Sequence, residues 1–140
     1  VVDIYGEYEQ DLHCRAQHGP SGAVLVTDAP VDNQGLGASF SPTDLVATGL
    51  GTCMLTVMGI LAKKGGCRLD GTRVHVKKTM TASLPRRIAE LAVEITFPPP
   101  ATLSVAGARA EFERVAEQCP VRLSLLDAIA VPTRFDWQSE

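Results

Sequence analysis

Two cysteines stand in surroundings suited to thiol chemistry. Cys53 lies within SPTDLVATGLGTCMLTVMGILAKKGG, residues 41–66, and Cys119 within ARAEFERVAEQCPVRLSLL, residues 108–126. Each falls on the apolar stripe of a predicted helix. A thiolate can attack an O–O bond, giving a sulfenic acid and an alcohol. A second thiol then condenses with the sulfenic acid to a disulfide and blocks further oxidation. A free thiol titrates at about 8.5, so only a few per cent is ionised near neutrality. Burial of Cys53 in mid-helix disfavours the thiolate unless a cation or a hydrogen-bond donor compensates. Either cysteine alone also reads as inert core, because free Cys is among the most buried residue types.

The helix carrying Cys53 is well delimited. Ser41 can cap it, Pro42 suits the first helical position, and Asp44 completes a capping box. Lys63 and Lys64 suit the negative end of the dipole, and Gly65 is the expected left-handed stop. Val46, Leu50, Cys53, Val57, Ile60 and Leu61 trace one face at helical spacing. The second helix carries Val105, Ala108, Phe112, Val115 and Ala116 on its stripe, with Cys119 one turn on. Pro120 ends it and can open a short helix, RLSLLDAI, which places Cys119 near an N-cap.

Strands surround these helices. Ile4 to Ala16 alternates with period two, with Ile4, Tyr8, Leu12, Cys14 and Ala16 on one parity, and reads as one half-buried strand. HGPSG turns into a second strand, Ala23–Thr27, and DAPVDNQGLGA follows as a long glycine-rich loop. Arg73–Thr81 and Ile88–Phe97 form the next pair, joined by SLPRR. VPTRFDWQ closes the chain as a strand. The order ββ-α-ββ-α(α)-β defines an α+β fold.

At 140 residues the chain fits a single domain, 1–140, able to bury roughly two-thirds of its unfolded surface. A net charge of −3, with only scattered basic pairs, argues against nucleic-acid binding. The uncharged run Leu45–Ala62 touches the lower length limit for a membrane span. Three glycines and three threonines fall within it, and no second run could pair with it. It reads as a buried central helix and not as a membrane segment. The N-terminal residues show no signal peptide, and four cysteines without a disulfide framework suggest a cytoplasmic protein with reduced or redox-active thiols. Cys14 reads as core and Cys67 as a turn thiol. His13, His18 and His75 lack metal-ligand spacing, even with Cys67 near His75, so neither a metal nor another cofactor is expected. Gly35–Gly37 lacks the strand–helix context of a nucleotide loop.

The run SPTDLVATGLGTC, with its mid-helix cysteine, resembles the OsmC/Ohr family of thiol-dependent hydroperoxide reductases. The CPV at 119–121 is similar to that family's second-cysteine signature, and GPSGAVLVTDAP fits its early hairpin. The resemblance spans almost the whole chain. It implies an intertwined homodimer with a shared helical core and two active sites at the interface. It also implies that Cys53 is the peroxidatic thiol, that Cys119 resolves it, that organic hydroperoxides are the substrates, and that a lipoyl-type or other dithiol is the reductant. Two positions depart from the family pattern. Thr43, followed by Asp44, stands where members commonly carry Glu. Arg15 is the nearest candidate for the family's thiolate-stabilising arginine but sits on the strand parity opposite Cys14, with Arg122 beside CPV as the second choice. The alternative is a non-enzymatic member of the fold, acting as a redox sensor or apolar-ligand binder. A purely structural dimerisation domain would require both cysteines to be inert.

Overall fold

The computed structural model describes residues 1–99 and 109–138, and the chain divides into two compact units, Val1–Val46 and Ala47–Glu140. The expected positions Val105 and Ala108 lie outside the described residues.

The first unit is a three-stranded antiparallel sheet, β1 (Ile4–Gln10), β2 (His13–His18) and β3 (Val24–Asp28), in that spatial order. The single strand expected over Ile4–Ala16 is therefore a hairpin. Asp11 and Leu12 both take positive φ, 50° and 63°, as a two-residue primed turn requires. The alternation misses this turn because the bulge between Tyr8 and Gln10 restores the side-chain parity beyond it. Directly opposed residues share a face, so Ile4, Tyr8, Cys14, Ala16 and Leu25 line one side. Tyr5, Glu7, Arg15, Val24 and Val26 line the other. Burial departs from the half-buried expectation, since every residue of β1 is exposed.

The glycine-rich loop after β3 folds back on itself around a single 3-10 turn, Val31–Asn33. Buried Asp28 anchors it by accepting the Ala38 N–H at 2.9 Å. Gly35 is required here, because a Cβ would lie 1.7 Å from the Ala29 carbonyl oxygen.

Helix α1 (Pro42–Lys64) begins with the expected box: Asp44 accepts the Ser41 N–H at 2.8 Å, and Ser41 Oγ accepts the Asp44 N–H at 3.1 Å. It ends in a Schellman motif. The Cys67 N–H reaches the Ala62 carbonyl at 2.8 Å, and the left-handed residue is Gly66, φ 71°, in place of Gly65.

The second unit sets most of α1 against a sheet of β4 (Arg73–Met80), β5 (Ile88–Phe97) and β6 (Thr133–Trp137), with β5 central, antiparallel to β4 and parallel to β6. Leu91, Val93, Ile95 and Phe97 point into the core, as their alternation predicts. The helical stripe is rotated from the expected one. Its buried positions are Ala47, Leu50, Gly51, Met54, Met58 and Ala62. Because α1 is apolar around most of its circumference, spacing alone could not choose the packed side. Its length and composition would also suit a membrane span, and 33% of its apolar window is buried in this fold.

Helix α2 (Arg109–Glu117) buries Phe112 and Ala116, and Trp137 ties it to the sheet. The Trp137 indole stacks on Phe97 at 3.5 Å between ring centroids and donates its N–H to Glu113 at 2.8 Å. Helix α3 is Pro120–Ser124, shorter and earlier than the expected RLSLLDAI. The α+β class thus holds with an extra N-terminal strand.

Candidate functional site: a thiol pair between two helices

Two local effects position Cys119. Residue 119 precedes a proline, whose ring pushes the preceding backbone out of the helical region. Cys119 accordingly takes φ −64° and ψ 151°, ending the α2 segment and becoming the N-cap of α3, with Pro120 in its first turn. Its side chain then turns back over the new helix, and Cys119 Sγ accepts the Arg122 N–H at 3.3 Å. Cysteine replaces the usual Ser, Thr or Asp as cap acceptor. The sulfur is fully buried, at 0% exposure.

Cys53 reaches the same place from mid-α1. Gly51, two residues earlier, lies on the packed stripe, where a Cβ would sit 2.9 Å from Val76 Cγ2 and 3.2 Å from Val74 Cγ1. Its missing side chain lets α1 approach β4 closely and sets the depth at which Cys53 is presented. Cys53 is half-buried at the edge of that stripe, and its thiol lies close enough to Cys119 to raise the Cys119 pKa. Both cysteines are unbridged, as are Cys14 and Cys67.

The electrostatics of the pair are unequal. Burial raises the Cys119 pKa, the Arg122 N–H opposes that rise, and a hydrogen bond to Cys53 and the charge on Cys53 raise it further; the Val121 N–H also lowers it. A negative charge on Cys53 therefore favours the protonated form of Cys119.

The structure thus brings Cys53 and Cys119 together within the second unit. Arg15 belongs to the first, exposed on β2 and opposite Glu7 on one side and Val26 on the other. At least one oxygen of the Asp44 carboxylate is engaged by the helix cap. Arg122 contributes its backbone N–H to Cys119, and its residue also lines a cavity of about 490 Å³ with Glu117, Asp127 and Leu125. The expectation for Arg122 concerned its guanidinium, whereas the contact observed is through its amide. Proline after cysteine was the available sequence signal for that contact. Gly51 left no comparable signal. Among the described residues, no group of three or more His, Cys, Asp or Glu side chains is placed to hold a metal ion.

A helix laid on a mixed three-stranded sheet, with a thiol from that helix meeting one at the head of another, defines a recognisable class. The model of the OsmC-like protein family matches residues 35–134, and the chain belongs to that family. A crystal structure of a Psychrobacter arcticus 273-4 protein, provisionally named for osmotic stress induction and a detoxification response, is similar at 39% identity. The match covers 94% of this chain and 93% of that one, with a TM-score of 0.86. The organic hydroperoxide resistance protein OsmC from Legionella pneumophila is 14% identical over 97% of this chain and 96% of its own, with a TM-score of 0.75. OhrB of Bacillus subtilis, also an organic hydroperoxide resistance protein, is 12% identical over 96% and 97%, with a TM-score of 0.67. These last two likenesses concern the fold. No match is found among curated protein sequences.

Proposed function

We propose that the protein is a cysteine-based peroxidase that reduces organic hydroperoxides. Cys53 attacks the O–O bond as a thiolate, becoming a sulfenic acid while the peroxide leaves as an alcohol. Cys119 then attacks the Cys53 sulfur, forming a Cys53–Cys119 disulfide and releasing water, and a dithiol reductant restores both thiols. The observation that carries this reading is the close approach of the two thiols, near enough for Cys53 to raise the Cys119 pKa. The charge balance supports the order of steps. Oxidation of Cys53 to a neutral sulfenic acid removes the charge that opposes ionisation of Cys119. The resolving thiolate therefore becomes easier to form once it has a target.

Arg15 is the proposed thiolate-stabilising cation, on the strength of its place in the early hairpin. The proposed working form is a homodimer. Its support is the apolar surface left uncovered in one chain: Ile4 at 63%, Tyr8 at 62%, Val24 at 47% and Leu25 at 45% exposed on the first unit's sheet, and Ile60 at 52% on α1. A regenerated thiol cycle suits a reducing cytoplasmic setting.

Steady-state consumption of cumene hydroperoxide with dihydrolipoamide tests the proposal. Many equivalents consumed per protein are expected. A single equivalent, followed by arrest with dithiol still present, would favour the redox-sensor reading.

A further inference from the structure

The two sulfurs of the pair differ in ways that bear on regeneration of the thiols. Cys119 is fully buried between the end of α2 and the start of α3, beside buried Ala116. Its sulfur already accepts an amide N–H at 3.3 Å. Cys53 is half-buried. In a disulfide exchange the incoming thiolate approaches one sulfur from the side away from the other, so access decides which sulfur is attacked. The amide that caps Cys119 in the thiol state is also placed to receive a negative charge when Cys119 departs.

We propose that the reductant attacks the Cys53 sulfur of the oxidised pair and that Cys119 is the leaving thiolate, received by the Arg122 backbone N–H. This rests on the peroxidase reading for the identity of the disulfide. In the first step a bond forms between the reductant sulfur and Cys53 Sγ. The Cys53–Cys119 bond breaks, and its electron pair stays on Cys119, which then takes a proton. In the second step the other thiolate of the same dithiol attacks the reductant sulfur attached to Cys53. The reductant leaves as a cyclic disulfide, and Cys53 is released as a thiolate. The dithiol is oxidised by two electrons, and the protein disulfide is reduced by two. Burial makes Cys119 a slower leaving group than an ordinary thiol, and the amide donors counter this. Access outweighs the residual cost, because a sulfur that cannot be reached cannot be attacked.

The four cysteines fall in four separate tryptic fragments, so each site can be assigned by mass. The full chain is oxidised with diamide, exposed briefly to excess β-mercaptoethanol, quenched in acid and blocked with N-ethylmaleimide. The expected result is the mercaptoethanol adduct on the fragment carrying Cys53 and maleimide on the fragment carrying Cys119. An adduct mainly on Cys119, an even split, or no Cys53–Cys119 disulfide under diamide would overturn the proposal. As a second measurement, folded Cys53→Ser should react slowly with DTNB at Cys119 until urea is added, whereas Cys119→Ser should react readily at Cys53. Rapid labelling of Cys119 in the folded variant would also overturn it. Because diamide replaces the peroxide, the two readings fail separately. An adduct on Cys53 without hydroperoxide turnover leaves the exchange order standing and removes the peroxidase. Turnover with the adduct on Cys119 does the reverse.

Discussion

The Arg122 N–H donates to the Cys119 sulfur at 3.3 Å because Pro120 stands between them. The proline breaks the helical path at Cys119, and the break turns a buried thiol into a helix cap. The same sulfur lies near Cys53, whose charge raises the Cys119 pKa.

Cys53→Ala removes both the hydrogen bond and the charge that raise the Cys119 pKa. Cys119 should then titrate at lower pH than in the wild type. Alkylation rate against pH, read on the Cys119 fragment, checks this. An unchanged or higher titration point would show that the two thiols are not coupled.

Stability should respond to pH with a definite sign. The folded chain holds the Cys119 proton more tightly than the unfolded chain does, so this contribution is complete below the ordinary thiol pKa. It is lost as pH rises through the raised one. Denaturant midpoints should therefore fall with alkaline pH, and less steeply in Cys119→Ser, which keeps an N-cap acceptor that does not titrate in this range. Equal slopes in the two proteins would contradict the assignment.

In the peroxidase assay, Cys53→Ser should abolish hydroperoxide consumption. Cys119→Ser should consume one equivalent and leave Cys53 as a sulfenic acid open to over-oxidation. Dimedone labelling followed by mass analysis distinguishes these states. Sustained turnover by Cys53→Ser would overturn the whole catalytic reading.

Arg15→Ala tests the cation. If Arg15 stabilises the thiolate, the loss of a charge-assisted contact worth about 1.5–3 kcal/mol lowers the rate by roughly ten- to a hundredfold. An unchanged rate would remove Arg15 from the mechanism and leave the thiol pair intact.

Gly51→Val places methyl groups where even a Cβ meets Val76 at 2.9 Å, so α1 must move off β4. Overpacking of this kind costs about 1–3 kcal/mol. Disulfide formation between Cys53 and Cys119 should slow as well, because α1 sets the position of Cys53. A stable variant with unaltered disulfide formation would show that the close approach has no part in placing the thiol.

The sequence alone determined features written in local chemistry. The α1 capping box, the Leu91–Phe97 alternation, the proline after Cys119 and the α+β class all depend on neighbours along the chain, and all appear in the structure. The β1–β2 hairpin was illegible because its bulge restored the alternation across the turn. The packed side of α1 was illegible for a different reason: apolar residues surround the helix, so the choice fell to where Gly51 lets it meet β4. The meeting of Cys53 and Cys119 is likewise a long-range event. It depends on α1 docking on the sheet and on Trp137 holding α2 beside it through Phe97 and Glu113. No pattern within either helix encodes the distance between two thiols; packing against a shared sheet does.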